Sequence, residues 1–289
     1  MEFGVHLGAV NPRLWVEVAE EADRLGFESL WVPEHLVVPI ASAGSPHEGA
    51  DHPPIPSDIP VFDAMAVLCH LAARTTRIRL GTCVYNIGLR HPFVTARAAA
   101  TVDVFSGGRL AFGIGASWLR AEWEAAGLDF DRRGPRVDEA IDVCRRLWSD
   151  EKVIEHHGEF FDFGPTAFEP KPVQRPGPAL HIGGDGAAAL RRAATVGAGW
   201  MPMNHSLEEL PRSLDRLKEL AQREGRTTPI EVTLPGLPGA TLNHQEDLEP
   251  YTKAGVTRLI VAPWTRSREA LDGLRRFAGE FLEPAQVSG

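Results

Sequence analysis

The sequence predicts an α/β chain folded as a (β/α)8 TIM barrel, and three observations carry that expectation. Short apolar runs suited to buried strands alternate with amphipathic helical patterns from end to end, eight pairs in all. A length of 289 residues suits one such barrel, read here as a single domain over 1–289. No strand is followed by a complete Gly-x-Gly-x-x-Gly turn with an acidic residue about 20 positions on, which weakens the rival, a doubly wound open sheet.

In chain order, the first strand spans 2–8, and its helix near 12–25 opens on Asn11-Pro12 and closes at Gly26. Proline in the first turn and glycine just past the last are the usual punctuation of a helix. The second strand, 28–33, is the run Ser29-Leu30-Trp31-Val32-Pro33, with a helix near 61–74. The third, 77–84, ends in Leu80-Gly81-Thr82-Cys83-Val84, and its helix near 93–105 opens on His91-Pro92. The fourth, 109–115, ends in Phe112-Gly113-Ile114-Gly115 and leads to a helix near 133–148. The fifth, 179–183, turns through Gly183-Gly184-Asp185-Gly186 into a helix near 186–197. Strands at 198–203, 230–235 and 257–262, with helices near 207–224, 246–254 and 268–281, complete the alternation.

Two insertions exceed what connections need. Residues 34–60, after strand two, are rich in Pro, His, Gly and Ser and read as a lid or substrate wall on the catalytic face. Residues 149–178, before strand five, contain a hairpin candidate at 153–161, on which His156 and His157 are expected to be solvated.

Composition narrows the function. With 43% hydrophobic and 24% charged residues the chain is an ordinary globular one, and a formal charge of −9 argues against a nucleic-acid surface. No apolar run reaches the length of a membrane span. The first residues enter a strand without a basic leader, so no secretion signal is expected. Cys69, Cys83 and Cys144 are too few and too scattered for a disulfide framework or a zinc site, which suits a reduced, cytoplasmic protein.

In a barrel the C-terminal strand ends converge on one site. Here they bring together His6, Glu34-His35, Cys83-Val84, Ser117-Trp118, Gly183 to Gly186, Met201 to Met203, Leu234 and Pro263-Trp264. No paired histidines of metal-ligand spacing occur among them. His35 is the acid/base candidate, with Glu34 as the carboxylate that would tune it; the alternative is a histidine that only ties the loop. His6 either lines the site or fills a barrel layer. The small residues at the ends of strands three and four suggest that a ligand approaches the backbone there. Amides of Gly184 to Gly186 suit a phosphate, together with Gly115 to Trp118, provided Asp185 points away. Glu122 and Glu124 read as a surface helix face.

The segments Phe27-Glu28-Ser29-Leu30-Trp31-Val32-Pro33-Glu34-His35, Thr75-Thr76-Arg77-Ile78-Arg79-Leu80-Gly81-Thr82 and Ser106-Gly107-Gly108-Arg109-Leu110 resemble the bacterial luciferase-like superfamily. So do Phe130-Asp131-Arg132-Arg133-Gly134, Glu159-Phe160-Phe161-Asp162-Phe163, Pro170-Lys171-Pro172-Val173-Gln174 and Ile182-Gly183-Gly184. Within that superfamily they are similar to oxidoreductases that use the deazaflavin coenzyme F420. The resemblance implies the same barrel and a homodimer. It also implies hydride transfer between the coenzyme and a small organic substrate, with the ring over the end of strand three at Thr82, Cys83 and Val84. It implies a non-prolyl cis peptide at Cys83-Val84, and phosphate contacts at Gly115, Ala116, Ser117, Trp118 and at Gly183, Gly184, Asp185, Gly186. Glu34 and His35 match an acidic-His pair that borders the active site in relatives.

The chain departs from some relatives. Trp118 stands where certain deazaflavin dehydrogenases carry a catalytic glutamate, and Pro39 lies near the place where sugar-phosphate-oxidising relatives carry a tryptophan, so that specific activity is not expected. The rival functions are an FMN-dependent monooxygenase on the same barrel, a metal-dependent barrel hydrolase, and a barrel subunit that has lost its cofactor.

Overall fold

The computed structural model describes residues 1–40, 58–203, 206–235 and 242–282. Eight parallel strands close into a barrel, in the order β1 (Glu2–His6), β2 (Ser29–Val32), β3 (Arg79–Thr82), β5 (Leu110–Gly115), β8 (Ala179–Gly183), β9 (Gly199–Met201), β10 (Glu231–Pro235) and β11 (Arg258–Val261). The pairing of β1 with β11 completes the circle. A two-residue strand, β4 (Tyr85–Asn86), continues past β3 and pairs with the upper half of β5.

The helices are α1 (Trp15–Leu25), α2 (Ala64–Ala72), α3 (Pro92–Ser106), α4 (Arg120–Ala125), α5 (Arg133–Trp148), α6 (Ala187–Thr195), α7 (Leu210–Arg223), α8 (Glu249–Lys253) and α9 (Ala270–Phe281). Asn11-Pro12 opens a 3-10 turn, Pro12–Leu14, rather than α1 itself, while Gly26 and His91-Pro92 stand at helix ends. Asn11 accepts from the Arg13 amide, Gly26 closes α1 at φ 91°, and His91 accepts from the Phe93 amide ahead of α3. The short α4, directly after β5, is the element the periodicity missed.

Period-two alternation sorts the strand residues. Outward side chains such as Phe3, Leu30, Leu80, Phe112, Ile182 and Leu259 join the helices in one large core. Inward Trp31, Ala111, Met201 and Ile260 form a separate plug, with Cys83, Val84 and Met203 packed on it. Below the plug the interior is polar. Arg258, 3% exposed, is held by Glu28 at 2.7 and 2.9 Å, Glu231 at 2.9 Å and Thr233 at 2.8 Å. His181 lies fully buried in the same region, edge-on to Trp31 at 5.5 Å. The plug thus separates a charged base from an upper end lined by small residues.

The insertion before β8 is a hairpin of β6 (Ile154–His157) and β7 (Asp162–Thr166). His157 is exposed, as expected, but His156 is half-buried with its ring nitrogen 3.1 Å from Glu139. Glu139 also accepts from the Phe160 and Phe161 amides, so His156 is drawn in to complete the cap that ties the hairpin to α5. The lid expected at 37–60 falls largely on residues outside the described ones. Among the described residues no helix is long and apolar enough to cross a membrane, and no group of three metal-ligating side chains occurs.

Candidate active site

The upper end of the barrel is floored by Val84. The Cys83–Val84 peptide is cis, as the resemblance implied. Val84 is wedged between two strand ends: a Cβ built on Gly115 or on Gly183 would lie 2.7 Å from one of its methyls. A Cβ on Gly81 would collide with the Trp31 ring, and one on Gly113 with the Thr82 carbonyl. At these four glycines the space a side chain would take is filled by protein atoms. Glycine at these inward positions makes room for Trp31, for a neighbouring strand and for Val84, because a barrel of this size must be filled by a few large side chains. Val84 is half-buried, along with His6, Cys83 and Met203.

The titratable groups of this floor are uncharged. Desolvation lowers the pKa of His6 to about 4, leaving a neutral imidazole at pH 7. Burial pushes the Cys83 thiol up to about 12, so it is no nucleophile.

Glu34 and His35 follow β2 onto the mouth but face different partners. Both oxygens of the buried Glu34 are taken, one by Arg90 at 2.7 Å and the other by the Asn86 amide at 2.8 Å. It anchors the turn after β4. The carboxylate beside His35 is instead Glu122, whose Oε2 lies 3.2 Å from Nδ1. Glu122, expected on a surface face, is fully buried on α4 next to the equally buried Trp123. The one sequence signal for it was the spacing of Leu119 and Trp123, four apart, which turns this face of the short helix inward.

The loop leaving β5 carries Ala116, Ser117 and Trp118, all half-buried. Ser117 adopts φ 60°, uncommon outside glycine, and its hydroxyl lies 3.3 Å from Glu122 and accepts from the Leu119 amide. Trp118 stands edge-on to the His35 ring, 6.4 Å between centroids. Across the mouth, Gly184 turns at φ 124° and its carbonyl accepts from the Trp200 indole. Asp185 points away, accepting from the Met203 amide at 2.8 Å. A Cβ on Gly186 would meet nothing within 4 Å, and α6 begins there without a side-chain cap. An apolar floor beside an open glycine turn at a helix start fits a flat ring carrying an anionic tail. A cleft of about 850 Å³ around Arg145, Gln174 and Arg226 lies at the opposite end of the barrel.

Residues 1–280 match the luciferase-like monooxygenase family, and the chain belongs to it. An uncharacterised protein of Mycobacterium tuberculosis strain H37Rv is 33% identical over 262 residues, covering 90% of this chain and 88% of the relative. Two solved structures share the fold. One is the monooxygenase RslO1 from Streptomyces bottropensis, with a TM-score of 0.77, 23% identity and coverage of 98% and 99% of the two chains. The other is an F420-dependent secondary alcohol dehydrogenase in complex with an F420-acetone adduct, with a TM-score of 0.76, 17% identity and the same coverages.

Proposed function

We propose that this member of the luciferase-like monooxygenase family is a coenzyme F420-dependent oxidoreductase acting on a small organic substrate. When bound, the deazaflavin supplies the hydride chemistry, and the protein's task is to hold, orient and shield. The reading is carried by three features that the strand ends bring to one mouth: the apolar Val84 floor, the open Gly184 to Gly186 turn, and His35 on the loop that leaves β2.

In this reading Thr82, Cys83 and Val84 support the ring, with His6 as a neutral hydrogen-bonding wall. Gly183 to Gly186 and Gly115 to Trp118 take the anionic tail. His35 gives or takes the proton that accompanies hydride transfer, while Glu34 keeps the turn behind it in place. The protein acts as a cytoplasmic homodimer. The family description and the likeness to a monooxygenase favour a second reading, in which the same floor holds FMN and the enzyme consumes oxygen.

The test is a parallel assay with the reduced deazaflavin and with reduced FMN, over a panel of small carbonyl compounds, following coenzyme oxidation without air and oxygen uptake with air. Anaerobic, substrate-dependent oxidation of the deazaflavin supports hydride transfer. Oxygen uptake with FMN alone overturns it in favour of the monooxygenase.

A further inference from the structure

Buried and half-buried carboxylates hold this fold together in several places, and all but one do a plainly architectural job. Asp23 accepts from the amides of Thr76, Arg77 and Ile78 at the entry to β3, and Asp103 from Gln174. Glu139 caps the hairpin, and Glu34 pairs with Arg90. Glu122 is different. Its side chain is 0% exposed, and among the described residues its only ion-pair partner is a histidine, His35. Oε1 accepts from the Leu36 amide at 2.6 Å, and Oε2 faces His35 Nδ1 at 3.2 Å, the Ser117 hydroxyl at 3.3 Å and Asn86 Nδ2 at 3.5 Å.

We propose that Glu122 is the positioning residue of this site: it holds His35 as the Nδ1–H tautomer and locks the imidazole to the 115–118 loop. The inference rests on the reading of His35 as the acid/base group. A carboxylate is an acceptor only, so a neutral imidazole that bonds to it must carry its proton on Nδ1. Nε2 then holds the lone pair, and it has no hydrogen-bond partner among the described residues. The geometry is that of an orienting carboxylate behind a catalytic histidine, which sets the tautomer and ring angle without itself exchanging the proton. The bond to the Leu36 amide fixes the chain on the far side of the same histidine. The Ser117 contact holds the one residue of the loop with left-handed backbone. One carboxylate therefore ties the proton-transfer group to the segment assigned to the cofactor's tail.

A carboxamide cannot replace it. In Glu122→Gln the new NH2 group faces either the Leu36 amide or the His35, Ser117 and Asn86 donors, so one side of the network loses its acceptor in either orientation. The experiment is histidine-labelled NMR of the full chain, with the His35 signal identified by its loss in His35→Gln. The expected spectrum is an Nδ1–H tautomer in the wild type, lost or mixed in Glu122→Gln. With the cofactor and substrate found by the assay above, kcat of Glu122→Gln falls about 100-fold, the lower end of what a positioned acid or base supplies, with KM within about threefold. Glu122→Asp keeps the tautomer and recovers part of the rate. Ser117→Ala keeps the tautomer as well. An Nε2–H tautomer in the wild type overturns the proposal, as does a folded Glu122→Gln with an unchanged tautomer and rate. Should that variant not fold, the wild-type spectrum and Glu122→Asp decide it by the same signs. A tautomer switch in a protein that binds neither coenzyme would support the positioning role while the reading of the reaction fell.

Discussion

Replacing Glu34 by glutamine tests the division of labour between the two mouth carboxylates through stability alone. Glu34 has 0% side-chain exposure and Arg90 12%, so the pair sits away from water. Neutralising one partner of a buried ion pair strands the other, at a cost of about 3–5 kcal/mol. The cost belongs at the upper end, because Arg90 Nη1 already lacks a partner among the described residues. For 289 residues an unfolding entropy of about 0.6 kcal/mol per kelvin turns this into a fall in Tm of about 5–8 °C. The control is a double-mutant cycle with Arg90→Met, read by chemical denaturation. The double variant should lose less than the sum of the singles, since no charge is then stranded. It should not regain wild-type stability, because the guanidinium also lies 4.4 Å from the Tyr85 ring centroid and that contact contributes about 1 kcal/mol. A Glu34→Gln loss under 1 kcal/mol, or strict additivity with Arg90→Met, would refute the assignment.

Three further perturbations follow from the same geometry. His6 titrates near 4 in the fold and near 6.5 when unfolded, so the unfolded chain takes up protons first as pH falls. Its contribution of about 3 kcal/mol is complete above pH 6.5 and drains away between 6.5 and 4, which His6→Gln should flatten in a pH series of denaturation midpoints. Burial, with Arg258 and Arg79 nearby, lowers the His181 pKa well below its ordinary value, and neither ring nitrogen has a partner among the described residues. His181→Leu should leave stability at pH 7 unchanged or higher by about 1 kcal/mol, and a loss of 2 kcal/mol or more would count against that account. Gly186→Glu should keep stability within about 0.5 kcal/mol, because a side chain there enters open space. It should weaken cofactor affinity about tenfold through repulsion of the anionic tail; equal affinity would remove the turn from the site.

The barrel was legible because its two periodicities are strong. Residues such as Leu30 and Ile182 alternate with Trp31 and His181, and Pro and Gly punctuate the helices at Pro12, Gly26 and Pro92. Residue type alone could not say which way an inward glycine serves. Gly81 and Gly113 yield space to Trp31 and Thr82, contacts between strands 30 to 50 residues apart in sequence. Nor could local pattern pair His35 with a carboxylate 87 positions away, when Glu34 stood next to it in the chain. Alternating side chains of an extended segment diverge, and so Glu34 and His35 part. The burial of Glu122 was hidden for a further reason: α4 is six residues long, too short to show a hydrophobic period. Nor could local pattern show that the Met203 amide, just past the next strand, holds the Asp185 side chain.

The central claim is the proposal that the Val84 floor and the Gly184 to Gly186 turn hold coenzyme F420. A parallel fluorescence titration of the purified protein with coenzyme F420 and with FMN tests it most directly. The expected result is micromolar, saturable binding of the deazaflavin, weakened in Gly186→Glu, with FMN bound far more weakly. Saturable binding of FMN alone, or of neither, would contradict it.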